Sequence, residues 1–468
     1  MKLIKSVSGI RGIFNKSLFL EDIIAHTFAF SKIQPSKYPL LIARDSRVSG
    51  KEISDAIINF LINNGRDVID CDIIPTPTAQ FIVDKFKISG AIVITASHNP
   101  MEWNGMKFID SDGTFLSPVK NNELFEQANS YVYESNKNIN ECNISKFTES
   151  IDTHINNVCN LSFIDLQKIK NKNFKIVLDT INGATCVGFK KLLEKLNCEI
   201  IHINSEPNGI FNRNPEPKTE NLSDVAKKVL EHSADLGFVT DPDGDRLAMI
   251  DNKGNIIIEE NTLALCVKEF LSQTKSKKPI VVNLSTTSAI EEVAKEYGIN
   301  VIRTAVGEIN VVDEMKKNIS DIGGEGNGGV IIKESHLGRD AFVASVIILN
   351  HLADKNISIN QANSTIPKFF MLKEKVELND KFDVSLISNK IKSEFSSYDF
   401  NEIDGIKINN QTSWAHIRKS NTEPIIRVYI ESKSIEEVNT IFDKIKSIFK
   451  WKIILSKKGW KLRFSLIL

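Results

Sequence analysis

Short apolar runs recur along the chain, each followed by a loop rich in Gly, Pro or Asp and often then by a segment with helical periodicity. KYPLLIARDSRVSG (37–50) reads as strand then polar turn, and KEISDAIINFLINNG after it sets Ile53, Ile57, Ile58 and Leu61 on one helical face. SGAIVITASHNP (89–100) is again strand then loop. KIVLDTINGATCVGFKKLLEKLN (175–197) repeats the unit, with Phe189, Leu192, Leu193 and Leu196 at helical spacing. DLGFVTDPDGDR (235–246) is strand then loop, and KPIVVNLSTTSAIEEVAKEYG (278–298) is strand, loop, helix. Buried strands alternating with helices predict α/β units with largely parallel sheets. The last part differs: two strand-like runs surround a polar loop and lead into EEVNTIFDKIKSIFK, which predicts an α+β unit. The expected domains are 1–150, 151–258, 259–368 and 369–468.

Composition narrows the class. At 468 residues, with 41% apolar and 25% charged positions, the chain is an ordinary globular protein of two to four domains. Its 59 basic residues balance its 59 acidic ones, and no basic patch stands out, so neither nucleic acid nor an acidic membrane is an expected partner. Six scattered cysteines, with no C-x-x-C, predict reduced, buried thiols and a cytoplasmic location. The opening MKLIKSVSGIRGIF lacks the apolar core of a signal peptide, and no apolar run is long enough for a spanning helix.

Four loops carry chemistry. Thr95-Ala96-Ser97-His98-Asn99-Pro100 follows a buried strand, where ligands meet loops in an open α/β sheet, and Ser97 there suits a nucleophile or phosphoryl carrier. It lacks the G-x-S-x-G elbow of hydrolases, and a lone serine is more often a cap. Asp241-Pro242-Asp243-Gly244-Asp245-Arg246 crowds three carboxylates into one turn, which a divalent cation would relieve; an all-oxygen set favours Mg²⁺. An EF-hand is excluded, because Gly falls at the fourth loop position and Asn252 at the twelfth. Gly323-Gly324-Glu325-Gly326-Asn327-Gly328-Gly329 lets backbone approach a ligand and offers Glu325 and Asn327 to sugar hydroxyls or an amine, though a linker has the same composition. Arg418-Lys419-Ser420-Asn421-Thr422-Glu423-Pro424, with Arg427 beyond, can cage a phosphate through charge-assisted bonds, or can be a surface turn with ordinary ion pairs. Together the loops call for a ligand with a phosphate at one end, a polyhydroxyl body and metal-assisted chemistry at the other.

The set SGIRG (8–12), ARDSR (43–47), TASHNPMEWNGMK (95–107), DPDGDR (241–246), GGEGNGG (323–329) and RKSNTEPIIRV (418–428) resembles the α-D-phosphohexomutase superfamily, in the family's order. The resemblance implies a heart-shaped, four-domain fold: three mixed α/β domains and a smaller C-terminal α+β domain, each giving one loop to a central cleft. It implies an Mg²⁺-dependent exchange of hexose 6-phosphate and hexose 1-phosphate, with a hexose 1,6-bisphosphate as intermediate and activator. By the same resemblance Ser97 is the phosphorylated serine, next to His98, and Asp241, Asp243 and Asp245 hold Mg²⁺ with the Ser97 phosphate. Glu325 and Asn327 match the sugar loop; Arg418, Ser420, Asn421, Thr422 and Arg427 match the loop for the non-reacting phosphate. Arg11, Lys107 and Arg246 match basic residues near the transferring phosphoryl, with Lys107 as proton shuttle, its pKa brought towards neutrality by burial.

GGEGNGGV followed by GRDA is most similar to phosphoglucosamine mutases, so glucosamine phosphate is the expected substrate, with mannose and glucose phosphates as the alternative. Asn327-Gly328-Gly329 stands where many bacterial members end in Ser-Gly-His, and His336 reads as an ordinary loop histidine. Two rivals remain. A haloacid-dehalogenase-type phosphatase shares the strand and DPDGD, but lacks the motif's closing Thr and leaves the other loops unexplained. A non-catalytic sugar-phosphate sensor would have been favoured by loss of Ser97 or an aspartate, and all are present. His26, His154, His202, His232, His351 and His416 show no metal-ligand spacing and read as structural; Trp414 is expected in the core and Trp103 beside the cleft. A monomer or homodimer is expected, and WKIILSKKGWKLRFSLIL (451–468) receives no role.

Overall fold

The computed structural model describes residues 2–132, 142–377, 384–420 and 425–448. Among them the strands form four sheets. The first runs, edge to edge, Ile4–Ser6, Gly9–Ile13, Trp103–Ile109, Ala91–Ile94, Leu40–Arg44, Val68–Ile73 and Ile144–Lys146. The second runs Ile256–Ile257, Leu247–Asp251, Leu236–Thr240, Lys175–Asp179 and Glu199–Ile203. The third is Val301–Thr304, Ile280–Asn283, Ile322–Glu325 and Gly329–Ile332. In the fourth, Phe370–Glu377, Ile425–Ser432, Ser413–Lys419, Ile406–Asn409 and Asp399–Asn401 all pair antiparallel, under the helix Ile435–Ile448. Three α/β layers and a C-terminal α+β layer are therefore present, as expected.

The expected helices lie where their periodicity put them. Ile53, Ile57, Ile58 and Leu61 are buried on the helix Gly50–Asn63, and Phe189, Leu192, Leu193 and Leu196 turn inward on or just after Thr185–Lys195. The sheets, however, are mixed rather than largely parallel. Parallel strands occupy their centres, and each adds an antiparallel arm directly after a chemical loop. The serine loop joins Ala91–Ile94 to its antiparallel partner Trp103–Ile109; the aspartate loop joins Leu236–Thr240 to Leu247–Asp251; the glycine loop joins Ile322–Glu325 to Gly329–Ile332. Each is thus a hairpin connection, held at both ends by ladder hydrogen bonds.

The second and third sheets share one apolar core, from Ile176, Phe189 and Phe238 to Ile280, Ile332 and Phe342. The helix Ala341–Lys355 is buried on nearly every face between them, which its almost unbroken apolar sequence requires. Among the described residues no helix is long and apolar enough to cross a membrane. No disulfide forms; Cys71, Cys159, Cys186 and Cys266 are buried as expected, whereas Cys142 and Cys198 are only partly so.

Candidate active site

The serine loop is fixed from beneath by Asp45 and Arg47. Arg47 directs Nε to Asp45 Oδ2 at 3.0 Å, Nη1 to the carbonyls of Pro100 at 2.6 Å and Trp103 at 2.9 Å, and Nη2 to those of Ser97 at 2.6 Å and Asn99 at 2.7 Å. All five of its N–H donors are thereby used, so the buried charge carries no unmet bond. Asp45 Oδ2 also accepts from Thr95 Oγ1 at 2.6 Å, which in turn accepts from Ser97 N at 2.9 Å. Within this frame Ser97 adopts φ of 50°, a left-handed conformation that costs a non-glycine residue about 1–2 kcal/mol. The conformation brings Oγ to 3.3 Å from His98 Nδ1 and 3.4 Å from Asp241 Oδ2.

The aspartate loop is gripped by three layers at once. Thr76 N donates to Asp243 O at 2.9 Å, Ala184 N to Pro242 O at 2.7 Å, and Ala341 N to Gly244 O at 3.2 Å. Gly244, at φ of 77°, makes the turn between the last two carboxylates. Asp241, Asp243 and Asp245 have no exposed surface, and a carboxylate oxygen from each lies within 4.8 Å of the others. At an effective dielectric of 20 each pair repels by about 3–4 kcal/mol. Burial, then Asp245 and Asp243, push the Asp241 pKa well above the carboxylate range. One oxygen each on Asp243 and Asp245 has no hydrogen-bond partner. Buried, crowded and partly unpartnered oxygens of this kind fit a hard divalent cation.

Cations already surround the cluster. Lys107 Nζ lies 2.6 Å from Asp243 Oδ2 and 3.4 Å from Asp245 Oδ2, and Arg339 Nη2 is 2.5 Å from Asp245 Oδ2. Burial opposes the charge of Lys107, but Asp243 and Asp245 outweigh it and raise its pKa. Lys107 is therefore not the lone buried lysine expected: two carboxylates share its site. Arg11, by contrast, is brought down to about 10 by burial, and its Nη1 donates to Asn99 Oδ1 at 3.1 Å. Arg246 meets Asp245 Oδ1 at 3.6 Å and Glu216 Oε1 at 3.5 Å. His98 is kept neutral by burial and then by Arg246.

Across the cleft, Glu325 Oε1 accepts from Asn283 Nδ2 at 2.7 Å and Gly307 N at 3.0 Å. Burial disfavours its charge, yet Arg339 overrides this and lowers the pKa. Asn327 Nδ2 reaches Glu325 Oε2 at 3.4 Å. Lys373, from the fourth sheet, bonds Glu259 at 2.9 Å and Glu260 at 2.8 Å and lies 3.4 Å from Gly326 O, joining that sheet to the glycine loop. Burial brings Glu260 to about 7 despite this lysine.

Three cations, Lys375, Arg418 and Arg427, stand on one face of the fourth sheet. Arg418 and Arg427 are direct cross-strand partners, and Arg427 also pairs with Lys375 across the next strand. Like charges placed opposite one another in a sheet are unfavourable unless an anion lies over them. Ser420 Oγ is 3.5 Å from Arg427 Nε. Asn421 and Thr422 lie outside the described residues, as does the 451–468 segment.

One cleft collects these groups. Arg11, Ser97, His98, Lys107 and Arg246 line one side; Glu325, Asn327, Arg418, Ser420 and Arg427 line the other. The three aspartates lie behind Ser97 and Lys107 without reaching its wall. Trp103 is not among the lining residues, and Trp414 is core, bonding Glu431 through its indole N–H at 2.7 Å. Arg339, Glu308, Glu216, Lys218 and Lys373 also line the cleft, although no motif assigned them a role.

Family models match almost the whole described chain: phosphoglucomutase/phosphomannomutase alpha/beta/alpha domain I over residues 2–134, domain II over 152–254, domain III over 259–369, and the C-terminal domain over 373–448. The chain belongs to the phosphoglucomutase/phosphomannomutase family. It is 34% identical over 436 residues to a phosphoglucomutase/phosphomannomutase of Thermococcus kodakarensis, covering 92% of this chain and 94% of that one. It is 31% identical to a phosphoglucosamine/phosphogalactosamine mutase of Sulfurisphaera tokodaii, over 95% and 98% of the two chains. A crystal structure of a family protein from Burkholderia thailandensis has the same fold, with a TM-score of 0.83 at 24% identity over 96% of this chain and 97% of that one. As a member of this family the protein is a phosphohexomutase, an isomerase that works by phosphoryl transfer.

Proposed function

We propose that the protein interconverts glucosamine 6-phosphate and glucosamine 1-phosphate through a phosphorylated Ser97 and a bisphosphate intermediate. The observation that carries the mechanism is Ser97 Oγ, held in a left-handed turn 3.4 Å from Asp241, facing the cleft that also contains Glu325 and the Arg418–Arg427 pair. The sugar preference is supported by the name of the Sulfurisphaera tokodaii relative and by the GGEGNGGV and GRDA sequences.

In the forward exchange the bond from phosphorus to Ser97 Oγ breaks as one from phosphorus to a sugar hydroxyl oxygen forms. In net terms the hydroxyl proton replaces the phosphoryl, and Ser97 regains its hydroxyl. The bisphosphate reverses in the cleft, and its other phosphate returns to Ser97. Positioning and neutralisation are most of what such a transfer demands. Asp241, Asp243 and Asp245 would hold Mg²⁺, which supplies Lewis-acid stabilisation of phosphoryl oxygens. Arg11 and Arg246 would neutralise the group in flight, and Lys107 would pass the proton between the sugar hydroxyl and Ser97. Glu325 and Asn327 would take sugar hydroxyls or the amine. Arg418, Ser420, Asn421, Thr422 and Arg427 would take the phosphate that does not react.

A side-by-side mutase assay on glucosamine, glucose and mannose phosphates, with Mg²⁺ and the matching bisphosphate, tests the reading. Preference for glucosamine phosphate is expected. Preference for mannose or glucose phosphate would sink the amino-sugar assignment and leave the mechanism standing.

A further inference from the structure

Arg339 stands between two loops that come from different sheets. Its Nη2 lies 2.5 Å from Asp245 Oδ2 in the aspartate loop, its Nη1 bonds Glu325 Oε2 in the glycine loop, and its Nε donates to Glu308 Oε2 at 2.9 Å. Glu308 in turn accepts from Gln80 of the first layer through Oε1 at 3.0 Å. One planar fork therefore meets three carboxylates in three directions, a geometry that a lysine ammonium cannot reproduce.

The backbone that carries the fork is itself pinned. Asp340, the next residue, caps the helix Ala341–Lys355 by accepting from Phe342 N at 2.8 Å. Its other oxygen faces His154 Nε2 at 2.9 Å and His336 Nε2 at 3.2 Å, and Thr78 Oγ1 holds the far side of His154 at 3.0 Å. Elements of all three α/β layers thus converge on residues 339 and 340. His336 is neither a loop bystander nor a cleft residue; it belongs to this anchor.

We propose that Arg339 is a positioning residue that sets the metal-holding carboxylates and the sugar-holding carboxylate in one fixed relation, so that cation binding and sugar binding both depend on it. The proposal rests on the reading of the aspartates as cation ligands and of Glu325 as the sugar-side acceptor. Partners one bond removed from a metal ligand typically change metal affinity 10–100-fold when replaced. Asn283 and Gly307 hold Glu325 Oε1 and Arg339 holds Oε2, so loss of the fork would loosen the carboxylate on its Oε2 side.

Arg339→Lys keeps the charge and removes the fork, which separates geometry from electrostatics. Two quantities are read: Mn²⁺ binding, from the free-ion electron paramagnetic resonance signal, and KM for the hexose phosphate at saturating Mg²⁺. Arg339→Lys is expected to weaken Mn²⁺ binding by ~10-fold and to raise KM by a similar factor. Glu325→Gln should raise KM alone, and Asp243→Asn should weaken Mn²⁺ binding alone. In Arg339→Ala, added guanidinium at non-denaturing concentration should restore both quantities, because Arg339 lines the cleft and its cavity opens there. A purely structural lesion would not be rescued by a denaturing ion. Wild-type values of either quantity in Arg339→Lys would overturn the proposal while leaving the metal and sugar sites in place. Failure of the wild-type protein to bind Mn²⁺ would overturn the metal site and the proposal together.

Discussion

The two ends of the cleft are built on opposite plans. At the serine–aspartate end the charges are buried and packed against one another: Arg47 places four donors on the serine loop and a fifth on Asp45, and Asp241, Asp243 and Asp245 have no exposed surface beside Lys107 and Arg339. At the other end Arg418, Arg427 and Lys375 line up across three strands of one sheet face, with Arg418 Nη1 3.7 Å from Asp404 Oδ2. The difference matches the demands of the proposed reaction. A phosphoryl in transfer tolerates little misplacement, since positioning supplies much of its acceleration. A phosphate that must be accepted from either end of the sugar needs a field more than a fixed contact set.

That contrast can be broken in four ways. Ser97→Ala should lower mutase turnover by at least ~10³-fold with an unchanged thermal midpoint, as expected where one group forms the covalent intermediate; substantial bisphosphate-stimulated turnover would remove Ser97 as the carrier. Asp243→Asn should raise the Mg²⁺ requirement by ~10–100-fold, because a ligand is removed, and should also lower the thermal midpoint, because buried Lys107 loses the charge of its partner at 2.6 Å. A metal titration with unchanged half-saturation would count against the site. Arg427→Ala should act differently, raising KM by ~10-fold or more with a smaller change in kcat, from the loss of a charge-assisted bond to a phosphate present in ground and transition states alike. A fall in kcat at constant KM would mean that this end, too, takes part in the chemical step.

The smallest effect is on stability. His416 lies where the phosphate sheet meets the third layer, with Nε2–H donating to Asp404 O at 2.6 Å and Nδ1 accepting from Ser285 Oγ at 2.8 Å. Burial brings its pKa down to about 3. The unfolded chain takes up this proton below its ordinary pKa of about 6.5 and the folded chain does not until about 3, so the contribution is whole above about 6.5 and is lost as pH falls towards 3. His26 and His202, each lowered to about 4, act in the same direction. His416→Asn should therefore flatten the acid limb of the thermal midpoint by a few degrees without abolishing it; an identical slope would show that the imidazole is not linked to folding.

The sequence was most informative where a loop's own composition dictates its chemistry. DPDGDR implies a cation site because its charges crowd locally, and Ser97 and Glu325 sit in loops whose flanking apolar runs mark them as strand ends. What stayed hidden depends on partners far along the chain. Arg47 binds a loop some fifty residues away, and Arg339 reaches Asp245 across 94 positions. The left-handed φ of Ser97 has no local signature, since serine does not favour that conformation. The pairing of Arg418 with Arg427 is a matter of register, which periodicity does not reveal. The hairpin form of the loops was missed for another reason: the runs after them, such as LAMI and GVII, are buried and apolar throughout, so they carry no alternation to mark an antiparallel arm.

The central claim is that Ser97 carries the phosphoryl group between two positions of one sugar. It is tested most directly by incubating the protein with Mg²⁺ and a hexose 1,6-bisphosphate labelled with ³²P, isolating it, and chasing with unlabelled hexose monophosphate. The account predicts label on the peptide containing Ser97, none on the Ser97→Ala variant, and its departure during the chase as sugar bisphosphate. Label that settles on another residue, or that leaves only as inorganic phosphate, would contradict it.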